Sequence, residues 1–133
     1  MEFVSALRSQ LRAHQLDVEL AAGADPTSSP ELARRARRLT SPRYRASLAA
    51  GLEHAVSDEG FALSAAVRSP AVIAQAVAPS VRALAGQLRG AAGVRPQGVA
   101  QALLLLTDGT SALYSSETSD DAVHAVERVQ RAL

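Results

Sequence analysis

Residues 2–21 carry side chains at alternating spacings of three and four that are apolar except for one histidine. With Phe3 beside them, these positions are Val4, Leu7, Leu11, His14, Val18 and Ala21. Because an α-helix turns once every 3.6 residues, this spacing places them on one side of an amphipathic helix over residues 2–21. The same spacing forms an a/d seam between paired helices, although here it lasts less than three heptads. The pattern therefore predicts a first helix whose apolar face suits another helix.

Two further helices are predicted by the same start signal, a serine followed directly by proline. Ser29 precedes Pro30, and Ser41 precedes Pro42. A serine hydroxyl caps a helix, and proline is favoured at the first helical position. The first of these helices has a narrow apolar side formed by Leu32, Ala36 and Leu39. The second, over about 42–56, repeats apolar residues at Tyr44, Leu48, Leu52 and Ala55.

Proline also decides the prediction for the middle of the chain. Residues 57–69 are predicted to form a loop, and Pro70 begins the next helical stretch. Pro79 lies inside that stretch, where it lacks a backbone donor and clashes with the preceding turn. We therefore predict two short helices, at about 70–77 and 79–89.

The most apolar stretch of the chain is residues 97–107, which contains the run Leu103–Leu106. Apolar residues on all sides predict a buried, central helix, with Pro96 as its start and Gly109 as its stop. The alternative is a hairpin that turns at the Asp–Gly pair and brings Leu103–Leu106 against Ala112–Tyr114.

A capping box of Thr118 and Asp121 predicts the last helix. Together these elements predict an all-α fold, a compact bundle of about six short helices in a single domain over residues 1–133. Alanine makes up about a fifth of the chain, and there are only two Phe, two Tyr and no Trp. Because alanine buries little area, the core is lean, and burial at a subunit interface would add stability.

The densest charge feature is an arginine cluster formed by Arg34, Arg35, Arg37, Arg38, Arg43 and Arg45. Only Glu31 lies close enough in sequence to offset it. Arginine binds phosphate oxygens with two parallel hydrogen bonds, so the cluster is a candidate site for an anion or nucleic acid. A helix-turn-helix, with the start of the second helix contacting bases, is one interpretation. The other interpretation is that the arginines form a solvated face. The acidic side chains within residues 97–133 would partly neutralise this face, either within one subunit or between subunits.

His14 is unusual because it occupies a position of the apolar face where leucine is expected. One interpretation is a core or interface histidine whose ring nitrogens have hydrogen-bond partners. The other is a pH-responsive contact, because protonating an imidazole inside an apolar seam is costly.

No motif supports catalysis or cofactor binding. Phosphate-binding glycine strings and the nucleophile elbow are absent, and without cysteine there is no disulfide or thiolate chemistry. His54 with Glu53 and Asp58 is an incomplete ligand set for a metal, as is His124 near the acids at 120–121. We therefore expect no catalytic residue, no cofactor and no metal, and hence no enzyme.

Two stretches, LAAGADPTSSPELARRARRLTSPRYRASLAAGL at 20–52 and GVAQALLLLTDGTSALY at 98–114, carry a resemblance. The chain resembles a family of small Ala- and Arg-rich actinobacterial proteins of unknown function. The resemblance implies an intracellular protein but no activity. The use of arginine for all basic residues, with no lysine, is typical of GC-rich genomes and agrees with it.

The sequence thus predicts a non-catalytic protein–protein interaction module in the cytoplasm. No signal-peptide pattern and no membrane-length apolar run is present. The expected partner is another copy or another protein, contacted through Phe3, Leu7, Leu11, His14 and Val18. The alternative is a nucleic-acid-binding protein that uses the arginine cluster.

Overall fold

The computed structural model describes residues 2–57, 71–90, 93–107 and 118–133. This part of the chain is an all-α bundle, as predicted, and contains no strand. Its six helices are α1 (Glu2–Ala21), α2 (Pro30–Leu39), α3 (Pro42–Ala55), α4 (Ala71–Arg89), α5 (Pro96–Thr107) and α6 (Ser119–Ala132). The predicted loop at 57–69, the start at Pro70, the stop at Gly109 and the hairpin partner Ala112–Tyr114 lie outside the described residues.

Hydroxyl caps begin three of the helices, as their sequences predict. The side-chain oxygens of Ser29, Ser41 and Thr118 each accept a hydrogen bond from the backbone N–H three residues later, over 3.1–3.2 Å. Each bond satisfies one of the N–H groups that the first turn of a helix leaves without a partner. These caps fix where α2, α3 and α6 begin.

A glycine ends α1. Gly23 has a φ of 98°, in the left-handed region that other residues rarely adopt. Its N–H donates to the carbonyl of Leu20, and the N–H of Ala24 donates to that of Glu19, both over 3.0 Å. This is the Schellman arrangement, which satisfies the last carbonyls of the helix. It turns the chain from α1 toward α2.

The prediction of two short helices around Pro79 is wrong, because α4 runs unbroken through that residue. Pro79 is exposed, so its ring faces solvent, while Val77 and Ala78 before it and Val81 and Leu84 after it are buried. The buried side packs against both α3 and α6. Packing on both sides of the proline offsets the loss of one backbone hydrogen bond.

The α5 helix is the centre of the bundle, as predicted, because it packs against α1, α2, α3 and α6. Val99, Ala100 and Ala102 are fully buried in a core that draws residues from all six helices. Leu103 and Leu105 are also buried, whereas the two leucines between and after them are half-buried. Residues 96–107 are therefore a helix and not part of a hairpin.

Candidate interaction surfaces

The apolar face predicted for α1 lies in solvent. Phe3 is 77% exposed and Leu11 is 60% exposed, and the remaining large apolar residues of this face are between 44% and 46% exposed: Val4, Leu7 and Val18. His14 is exposed as well, so it is not a core residue, and its interpretation as an interface histidine stays a prediction. We call these six residues the α1 seam.

The opposite side of α1 attaches the helix to the bundle. Leu16 and Leu20 are buried there, Asp17 is buried at the edge of that side, and α1 packs against α2 and α5. At about 100° per residue, Leu16 lies about 200° around the helix axis from Val18 of the seam. One helix therefore carries two apolar surfaces, and only the one on its second half is used by the core.

A two-pronged ion pair joins α1 to α2. The Nε and Nη2 of Arg35 donate to the two carboxylate oxygens of Asp17 over 2.6 and 2.7 Å. The side chains are 14% and 5% exposed, respectively. Hydrogen bonding to Asp17 raises the pKa of Arg35, although partial burial opposes the rise. Arg35 is thus held inside the protein by a residue that sequence reasoning did not single out.

Arg45 is also committed inside the protein. It is 6% exposed, and its Nη1 donates to the carbonyl of Leu88 over 3.0 Å and to that of Gly90. Its Nε donates to the carbonyl of Thr40 over 3.3 Å. These carbonyls belong to the ends of α2 and α4, where the helix dipole is negative. Arg45 therefore caps two helix ends and cannot reach an external phosphate.

The aromatic ring of Tyr44 lies beneath two members of the arginine cluster. The guanidinium carbons of Arg35 and Arg38 are 5.9 and 5.6 Å from the ring centroid. At these distances a cation is attracted to the face of the ring. Tyr44 is half-buried, and of the first three residues after Pro42 only Arg43 is exposed. The start of α3 therefore does not present the set of free side chains that a helix-turn-helix reader needs.

Four members of the arginine cluster remain on the surface: Arg34, Arg37, Arg38 and Arg43. An open groove of about 280 Å³ beside them is lined by Leu16, Glu31, Arg34, Arg35 and Arg38. Among the described residues, Asp17 of α1 neutralises the charge of Arg35, whereas the guanidinium of Arg45 donates to backbone carbonyls. Asp120, Asp121 and Glu127 of the acidic C-terminal third are exposed on α6.

A surface ion pair reinforces the contact of α1 with α2. The Nε of Arg12 donates to the Oε2 of Glu31 over 2.7 Å, and its Nη1 donates to Gln15 over 3.1 Å. The hydrogen bond from Arg12 lowers the pKa of Glu31, and the positive charge of Arg12 adds to that effect. The only acidic residue near the arginine cluster in sequence is therefore already engaged.

Within the described ranges, no group of three or more His, Cys, Asp or Glu side chains is arranged to hold a metal ion. Of the incomplete ligand set around His54, Glu53 forms an ion pair with Arg89 of α4, and Asp58 lies outside those ranges.

No helix in the same part of the chain is long and apolar enough to cross a membrane. Comparison with known proteins finds no matching protein family, curated protein or solved structure.

Proposed function

We propose that this protein is a non-catalytic interaction module that associates with a second copy of itself through the α1 seam. The observation that carries the proposal is the exposure of this seam along α1, a helix that only its second half attaches to the bundle. Contiguous exposed apolar patches on folded proteins commonly mark contact surfaces. A cytoplasmic location and a place among Ala- and Arg-rich actinobacterial proteins are part of the same proposal, which assigns no catalytic residue and no cofactor.

The spacing of the seam supports a helix as its partner. Side chains at alternating intervals of three and four form a straight ridge that packs into the matching ridge of another helix. A second copy supplies such a ridge without any further component. A C2 pair of this kind is the commonest form of protein assembly.

The expected affinity follows from the exposed area. A fully buried large apolar side chain contributes about 1.5–3 kcal/mol, and the five apolar seam residues of each copy are roughly half-exposed, so two copies supply about 10 kcal/mol. Association costs between about 4 and 15 kcal/mol. Against the lowest of these costs about 6 kcal/mol remains, so we expect a weak dimer with a dissociation constant on the order of tens of micromolar.

Sedimentation equilibrium from about 1 to 500 µM tests the proposal over this range. We expect a monomer–dimer equilibrium that Leu7→Asp weakens at least tenfold, because a carboxylate would be buried among apolar side chains without a partner. Ser9→Asp is the matched control, since Ser9 is exposed on the other side of the same helix and should leave association unchanged. A wild-type protein that stays monomeric throughout would overturn the proposal.

Nucleic-acid binding is a second candidate, favoured by the exposure of Arg34, Arg37, Arg38 and Arg43. It now rests on four arginines rather than six, because Arg35 and Arg45 make internal contacts. Four phosphate contacts predict an affinity that falls about a hundredfold between about 50 and 200 mM salt.

Fluorescence anisotropy of a labelled duplex at these two salt concentrations separates the candidates. If the arginines bind phosphate, Arg34→Glu with Arg38→Glu should abolish binding. Arg128→Glu with Arg131→Glu changes two exposed arginines on α6, alters the net charge equally, and should have little effect. Equal losses for the two variants would indicate a response to net charge alone, and absence of binding at low salt would exclude this candidate.

A further inference from the structure

We infer that two copies pair through α1 in the antiparallel orientation. The inference rests on the proposed self-association and adds the direction of the partner helix and the residues that meet. It follows from the distribution of side-chain size and charge along the seam.

The middle of the seam forms two complementary layers in this orientation. In an antiparallel pair with alternating spacing, each a position faces a d position of the other helix. Leu7 then lies across from the partner's Val18, and Leu11 lies across from the partner's His14. Twofold symmetry repeats both layers, so four layers form along one helix pair.

The ends of the seam differ in size, and antiparallel pairing matches large to small. Phe3 and Val4 lie at one end, and Phe3 is the most exposed large apolar residue of the described chain. Beyond its other end Ala21 packs against the core of its own bundle, and Ala22 is exposed. Pairing places Phe3 and Val4 at the level of the partner's Ala22, where the small side chain leaves room for the ring. A parallel pair would instead stack Phe3 on the partner's Phe3.

Charge favours the same direction. Arg8 and Glu19 flank the same edge of the seam, since eleven residues at about 100° each return nearly to the starting angle. In an antiparallel pair the same edge of each helix lies beside its counterpart. Arg8 and the partner's Glu19 are then separated by about 3 Å as measured along the helix axis. The contact occurs twice by symmetry. In a parallel pair the opposite edges adjoin, and His14 would also face the partner's His14.

The rest of each copy does not obstruct this helix pair. Leu16 and Leu20 attach α1 to the bundle from the side opposite the seam. When two seams meet, the two bundles therefore lie on the outer sides of the helix pair.

Disulfide cross-linking tests the direction without background, because the chain has no cysteine. The double variant Leu7→Cys/Val18→Cys places both thiols on the exposed seam. Within one chain these positions are about 16 Å apart along the helix, too far for a disulfide. Trypsin cleaves after Arg8, Arg12 and Arg34, so the two cysteines fall in the separate peptides 1–8 and 13–34.

We expect mild oxidation to link peptide 1–8 to peptide 13–34 between two copies. Links joining each peptide to its own counterpart would overturn the antiparallel direction while leaving self-association intact. A dimer by sedimentation with no link at all would show that another surface pairs, and would overturn the inference too. A monomer by sedimentation would instead be the failure of the proposed function.

A charge exchange provides a second measurement on the same pairing. Arg8→Glu should weaken association about threefold or more, because two contacts with Glu19 become repulsive. Adding Glu19→Arg should restore it to within about twofold of wild type. If the second substitution fails to restore association, Arg8 does not face the partner's Glu19, and the inferred register is wrong.

Discussion

The carboxylate of Asp17 and the guanidinium of Arg35 form a two-pronged ion pair, 2.6 and 2.7 Å long, that fastens α1 to α2. Removing one member leaves the other charge partly buried and unpaired, which is costlier than removing both. We expect Asp17→Leu to lower the free energy of unfolding by about 3 kcal/mol. The double variant Asp17→Leu/Arg35→Met should recover most of that loss in urea denaturation. A double variant as unstable as the single one would contradict this account.

Arg45 and its exposed neighbour Arg43 should contribute differently to the free energy of unfolding. Arg45→Met removes the donors for the carbonyls of Leu88, Gly90 and Thr40, and should cost about 2 kcal/mol of unfolding free energy. Arg43→Met changes an exposed arginine and should stay within about 0.5 kcal/mol of wild type. Urea denaturation of the two variants checks the difference. Similar values for both would mean that the buried contacts of Arg45 contribute little.

Two helical glycines should respond to alanine in opposite ways. A Cβ on Gly98 would lie 2.7 Å from the carbonyl oxygen of Ala132 and from the backbone of Leu133, whereas one on Gly86 would meet nothing within 4 Å. Gly98→Ala should therefore lower the free energy of unfolding by about 1–3 kcal/mol. Gly86→Ala should raise it by about 0.5–1 kcal/mol, because alanine favours the helix. Thermal unfolding should show Tm shifts of opposite sign, and a stabilising Gly98→Ala would refute the close packing.

Glu31 predicts a pH dependence at the contact between α1 and α2. Its pKa is lowered by the hydrogen bond from Arg12, so the folded state holds the ionised form more strongly than the unfolded chain does. The resulting stability is present above the unfolded pKa of about 4.3 and is lost as the pH falls through the folded value. A carboxyl NMR titration should find the pKa of Glu31 below the unfolded value, and Arg12→Gln should raise that pKa. An unchanged pKa in Arg12→Gln would show that the pair does not form in solution.

The elements that could be predicted from sequence are those whose cause is local. Ser29 and Ser41 cap helices through bonds that span three residues, so the signal and the structure share one short segment. The continuity of α4 through Pro79 could not be predicted from sequence, because the packing that maintains it comes from α3 and α6, which are distant in sequence. Local rules describe the cost of a proline, but not the burial that offsets it.

The internal contacts of two members of the arginine cluster could not be predicted from sequence for the same reason, because their partners are distant along the chain. Arg35 meets a residue 18 positions away, and Arg45 meets one 43 positions away. A partial signal for Asp17 was present nonetheless. Leu16 and Leu20 are one turn apart and lie off the seam, which indicates a second apolar stripe on the later half of α1. A carboxylate between them is a candidate for a buried ion pair.

The division of α1 into an attached half and an exposed half couples its folding to assembly. Residues 2–15 include no buried side chain, and only Ala13 among them is half-buried. A helix of about this length is marginally stable in water when nothing packs on it. In dilute protein its first turns should fray, and their backbone amides should exchange quickly with deuterium. At concentrations where copies meet, the same amides should become protected, so that for this segment folding and recognition are one event.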